Sequence, residues 1–213
     1  MNSLIDAVVS RPRTTLLLML MVLIAGVASL RSIPVESDPS LASLPSGDSL
    51  LEATLCKIIP AFEETLLVLR PGDESLATAL SARFKTLTTT FANDAGLGMG
   101  HSLAHGAAKI THWQGAAICL GDMPFHAPST LSTLILAFRA ASQPYPIIQP
   151  CHQGRPGHPV LFHRAYFDAM RALTGDQGAR TLLKAEAPAV QMIEVDDLGI
   201  LQDVDAPEDL ASG

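Results

Sequence analysis

Ala116-Ala117-Ile118-Cys119-Leu120-Gly121-Asp122-Met123-Pro124 is the stretch on which the reading of this chain turns. Its apolar run carries no polar alternation, the pattern of a strand buried on both faces inside a parallel sheet. The run stops at Gly121-Asp122, and Pro128 then opens a helical pattern over 128–141. Parallel α/β sheets bind ligands at the carboxyl ends of their strands, so Asp122 stands where chemistry is expected. A carboxylate there suits a hard cation such as Mg²⁺ holding phosphates. The same residue type also serves as a plain turn or helix-cap Asp.

Strand and helix patterns alternate on both sides of this stretch. Ser49 or Asp48 is placed to cap a helix through 59, and Thr65-Leu66-Leu67-Val68-Leu69 reads as a strand. Asp73 is placed to cap a helix over 73–83, 86–91 is β-rich, and a helix follows Gly98-Met99-Gly100. Beyond 141, short strands are expected at 147–149, 160–162 and 190–195, with a helix at 164–173 and a further one started by residues 175–180. This order implies a three-layer, Rossmann-like α/β fold with a mostly parallel sheet.

The totals fit one such domain. The chain has 213 residues and a net charge of -7, from 14 basic and 21 acidic residues. That balance argues against a nucleic-acid partner and leaves room for a small phosphate site. Cys56, Cys119 and Cys151 show neither disulfide nor metal-ligand spacing, as expected of a reduced, cytoplasmic domain. His101 and His105 have i, i+4 spacing but lack a third candidate ligand, so a surface or ribose-contact role is favoured for them.

Residues 1–40 differ in character. Arg11-Pro12-Arg13 precede an uncharged run at 14–30, about 17 residues and near the lower limit of a membrane span. With Ser32-Ile33-Pro34-Val35-Glu36-Ser37-Asp38-Pro39, this segment resembles the start of a resistance-nodulation-division efflux transporter subunit. None of the repeated spans that transport needs follows it. The expected division is therefore an apolar N-terminal segment at 1–40 and an α/β domain at 41–213.

Within residues 41–210, five motifs resemble those of molybdenum cofactor cytidylyltransferases and the wider molybdopterin nucleotidyltransferases. They are Gly98-Met99-Gly100-His101-Ser102-Leu103, Leu120-Gly121-Asp122-Met123-Pro124, Gly154-Arg155-Pro156-Gly157-His158-Pro159, Gly175-Asp176-Gln177-Gly178-Ala179-Arg180 and Asp203-Val204-Asp205-Ala206-Pro207-Glu208-Asp209. The last has Ala206 where Thr is usual. The resemblance implies a nucleotidyltransferase that moves CMP from CTP to molybdopterin and releases pyrophosphate. It assigns Asp122 as the catalytic metal ligand, with Asp203 or Asp205 as a second carboxylate for Mg²⁺. Gly98, Gly100 and Ser102 would lie against the nucleoside, and His158, Asp176 and Arg180 would face the pterin.

One family element has no clear counterpart. The usual opening, L-A-A-G-x-S-x-R-x-G-x-x-K, grips the triphosphate through backbone amides, an arginine and a lysine. Leu23-Ile24-Ala25-Gly26-Val27-Ala28-Ser29-Leu30-Arg31 echoes it with one residue too many, and no lysine occurs before Lys57. Residues 19–25 are apolar enough to supply the family's first, central strand, but the same residues cannot also span a membrane. Two expectations therefore compete: a transferase impaired at its phosphate loop, and an inactive chimera tethered to the membrane through 14–30.

Overall fold

The computed structural model describes residues 18–23, 49–176 and 178–204. Its strands are β1 (Leu18–Leu23), β2 (Thr65–Leu69), β3 (Leu87–Phe91), β4 (Gly115–Leu120), β5 (Ile147–His152), β6 (Arg155–Pro156), β7 (Val160–His163) and β8 (Val190–Glu194). They form one sheet in the order β3-β2-β1-β4-β7-β5-β6, and β8 pairs with β5. Parallel pairing joins β3 to β2, β2 to β1, β1 to β4, and β5 to β8. β7 runs antiparallel to both β4 and β5. The loop between β5 and β7 is too short for a parallel crossover, which takes a dozen or more residues.

The principal helices are α1 (Leu50–Ile58), α2 (Glu74–Arg83), α3 (Met99–Lys109), α4 (Pro128–Ala140), α5 (Phe167–Arg171) and α6 (Arg180–Ala185). Alternate residues of the strands divide them into two layers. Ala117 and Cys119 of β4, with Leu67 and Leu69 of β2, pack against Leu51 and Leu55 of α1, Leu80 of α2 and Leu134 of α4. Ala116 and Ile118, with Leu66 and Val68, pack against Leu103 of α3, Phe167 and Met170 of α5, and Leu182 of α6. The fold is the expected three-layer α/β sandwich.

Local chemistry fixes the helix starts. The Ser49 hydroxyl caps α1 by accepting from the Glu52 amide, and the Ser49 amide donates to the Glu52 carboxylate at 2.8 Å, a reciprocal capping box. Asp73 sits at the start of α2 but makes no side-chain cap there. Its carboxylate instead accepts the Arg70 amide at 3.3 Å. The helix expected over 164–173 is shorter, a 3₁₀ turn at Arg164–Tyr166 followed by α5.

The N-terminal apolar run needs a correction. Leu18–Leu23 forms β1 at the centre of the sheet, registered from Leu18↔Gly115 to Leu23↔Leu120 on one side and from Leu20↔Thr65 to Leu23↔Val68 on the other. A strand bonded along both edges cannot also be a helical span. Among the described residues no helix is long and apolar enough to cross a membrane. The motif echo at 23–31, apart from Leu23, and the boundary expected at 40/41 lie outside the described residues.

Candidate active site

The strand order reverses between β1 and β4, where open α/β sheets place their ligands. Asp122 follows the end of β4 at this point and is half-buried. The Val204 amide donates to the Asp122 carbonyl at 3.0 Å, drawing Asp203 to the same sheet end. Asp205, the other expected carboxylate, lies outside the described residues.

A cavity of about 1120 Å³ opens beside this junction. Its polar wall includes Arg155, His158, Asp176, Arg180, Lys184 and Asp203, and Met99, Leu103, Leu120, Leu183 and Ile200 supply apolar surface. Three expected pterin-side residues and one expected metal ligand thus share one space. Leu120 and Met123 flank Asp122 and both line the cavity, whereas Asp122 stands beside the wall rather than on it.

The expected nucleoside residues are placed differently. Gly98 precedes α3 with φ 123°, and a Cβ there would lie 2.3 Å from Asp176 Oδ1 and 2.5 Å from the Gly175 carbonyl. The Gly100 amide donates to the Gly175 carbonyl at 2.7 Å. Both glycines therefore let the start of α3 seat directly on the loop that carries Asp176. Ser102 is 1% exposed, and its Oγ has no hydrogen-bond partner among the described residues. Met99, between the glycines, reaches the cavity. His105 is engaged elsewhere, its Nε2 lying 2.9 Å from Thr90 Oγ1 on β3.

His158 is held by its backbone. Its amide donates to the Ile200 carbonyl at 3.0 Å, and a Cβ on Gly157 would stand 2.4 Å from that same oxygen. Burial lowers the imidazole pKa, aided by the Arg180 guanidinium and opposed by the Ile118 backbone and the Asp203 carboxylate. Nδ1 is buried without a hydrogen-bond partner among the described residues. The ring is therefore a neutral polar group at physiological pH.

Two cavity cations were absent from the expected site. Lys184 stands four residues after Arg180 on α6 and both line the cavity, so i, i+4 spacing was its signal. Arg155 belongs to the Gly154–Pro159 motif, whose arginine-containing turn favours the cytidylyl branch by resemblance, but it was not among the expected substrate-binding residues.

Residues 21–190 match the MobA-like NTP transferase domain. The chain belongs to the MobA-like NTP transferase family. The match begins inside the segment likened to a transporter, and β1 lies between β2 and β4 in this chain's own sheet. Neither observation supports the transporter likeness or a chimeric origin. Among curated relatives, this MobA-like protein is 33% identical over 119 residues to purine catabolism protein PucB of Bacillus subtilis, covering 54% of this chain and 56% of that protein. The chain thus spans little more than half the length of that relative. Its fold resembles the manganese complex of Rv0371c from Mycobacterium tuberculosis, with TM-score 0.69 and 25% identity over 92% of this chain and 96% of that one. It also resembles molybdopterin-guanine dinucleotide biosynthesis protein A from Archaeoglobus fulgidus, with TM-score 0.62 and 22% identity over 92% and 96% of the two chains.

Proposed function

We propose that this MobA-like domain transfers CMP from CTP to the phosphate of molybdopterin, in the cytoplasm. An acceptor phosphate oxygen attacks the α-phosphorus of CTP. The new phosphorus–oxygen bond forms as the bond to the β-phosphate breaks and pyrophosphate leaves. The observation that carries this reading is the cavity at the β1–β4 switch, where cations, carboxylates and apolar wall meet in a volume large enough for two substrates.

Asp122 and Asp203 are suited to hold Mg²⁺. Two carboxylates with further positions left to phosphate oxygens and water form the donor set this ion favours. When bound, the ion neutralises charge developing on the phosphates. The protein supplies position and field. Arg180 and Lys184 attract the acceptor phosphate, Arg180 being able to do so bidentately. Neutral His158 and the Asp176 side chain offer hydrogen bonds to the polar edge of a fused ring, and Met99 and Leu103 offer surface for its face. Gly98, Gly100 and Ser102 belong to the turn and helix on which the nucleoside would rest. No lysine precedes Lys57, so turnover is expected to be slower than in relatives with a complete phosphate loop.

Purified protein incubated with CTP, Mg²⁺ and molybdopterin tests this. The expected result is pyrophosphate release that Asp122→Ala abolishes. No release from the wild type, release insensitive to Asp122→Ala, or preference for GTP or ATP over CTP would overturn the assignment.

A further inference from the structure

We infer that Glu194, which lies outside the cavity, is a positioning residue that fixes Arg155 on the cavity wall. The inference rests on the cavity being a site for a phosphate-bearing acceptor. β5 and β6 are joined by the two-residue turn Gln153-Gly154, with φ 52° and 75°. Such hairpins prefer Asn-Gly or Gly-Gly, because both residues take left-handed backbone. Gln153 has a full side chain, so that conformation must be held from outside.

Glu194 supplies the restraint. Register pairs Cys151 of β5 with Glu194 of β8, which brings the carboxylate to the base of the turn. Oε1 accepts the Gln153 amide at 2.5 Å. Oε2 accepts the Cys151 thiol at 3.1 Å and the Gly154 amide at 3.4 Å. These donors hold the carboxyl pKa below its ordinary value, the Cys151 thiol foremost, so the carboxylate stays charged at neutral pH. The strand ends are tied as well: the Val195 amide donates to the Cys151 carbonyl at 2.9 Å, and His152 Nδ1 lies 2.9 Å from the Val195 carbonyl. Arg155 is the next residue after the turn, paired with His152 and lining the cavity. Releasing the turn frees the stem of this arginine, and fixed geometry is what distinguishes a binding cation from a solvated one.

The test is titration of the full chain with inorganic phosphate, followed by ³¹P NMR, in wild type, Arg155→Ala, Glu194→Ala and the double variant. Arg155→Ala and Glu194→Ala are each expected to weaken phosphate binding about three- to tenfold, with the double variant no weaker than Arg155→Ala alone. Amide exchange at Gln153 and Gly154 should quicken in Glu194→Ala. Additive losses, wild-type affinity in either single variant, or a wild type that binds no phosphate would overturn the inference. The transfer assay stands apart: its failure sinks CMP transfer and leaves the phosphate comparison to decide the role of Glu194.

Discussion

The Val204 amide donates to the Asp122 carbonyl across 3.0 Å, and this bond joins the tip of β4 to the segment carrying Asp203. Two carboxylates far apart in sequence thereby approach the same sheet end through backbone alone. Val204→Pro removes the donor. We expect this variant to need more Mg²⁺ for half-maximal rate while CTP binding measured without metal stays near wild type. An unchanged Mg²⁺ dependence would show that the tether does not set the position of Asp203.

Asp122→Asn keeps the size of the side chain and removes its charge. Loss of one preorganised group that stabilises transition-state charge costs roughly 10²–10³ in rate where a single oxyanion-hole donor is removed, and a loss of that order is expected here. Pyrophosphate release should fall by about that factor, with the circular-dichroism spectrum and Tm close to wild type because Asp122 is only half-buried. A variant retaining more than about a tenth of the activity would remove Asp122 from its assigned role.

Gly100→Ala tests the packing of α3 on the 174–176 loop. The added methyl would lie 2.7 Å from the Thr174 carbonyl and 2.8 Å from the Gly175 carbonyl. Both neighbours are backbone and cannot move aside as a side-chain tip would. Overpacking of this kind costs roughly 1–3 kcal/mol, so the Tm should drop by a few degrees. Thermal unfolding of Gly96→Ala supplies the contrast, since nothing lies within 4 Å of its added methyl.

The contrast between β4 and β1 shows what the sequence made legible. β4 is flanked by turn signals and apolar at every position, so its strand, its end and the place of Asp122 were all readable. β1 has the same composition, yet its run is long enough for a membrane span and no local signal separates the two. Only the demand for a partner between β2 and β4 decides it, and that demand is tertiary. The glycines of 98–100 were visible as a close backbone approach, but not the surface approached, because Gly175 is distant in sequence. Likewise the Gln153 turn lacks the Asn-Gly signature, since its restraint comes from Glu194 on another strand.

Acid should weaken this fold in part through His126, which is buried, and His158, which is half-buried. Burial lowers the pKa of His158 and His126 below the ordinary 6.5; Lys57 acts in the same direction on His126, against Asp197 and the Met123 backbone. Above 6.5 both rings are neutral folded or unfolded, and they impose no pH dependence. As pH falls below 6.5 the unfolded chain binds protons that the folded chain resists, so stability declines until the lowered folded values are passed. Urea unfolding between about pH 5 and 8 should show this slope, and His126→Gln should make it shallower. His158, His105 and His163 are lowered mainly by burial too, so part of the slope should persist. An unchanged slope in His126→Gln would mean that ring is not kept neutral by burial.

The placement of β1 yields the sharpest test of the whole architecture. Leu20 pairs with Thr65 on one side and Ala117 on the other. Proline there removes a ladder hydrogen bond from an interior strand, a position sheets essentially never grant it. Leu20→Pro should therefore yield no folded protein, visible as lost cooperative unfolding and rapid proteolysis of residues 49–204. If residues 14–30 instead served as a tether to an independent domain, the same substitution would leave that domain folded. Carbonate-washed membranes distinguish the two for the wild type as well, with the chain expected in the soluble fraction. A Leu20→Pro protein that still unfolds cooperatively would remove β1 from the sheet, and with it the switch point on which Asp122 is placed.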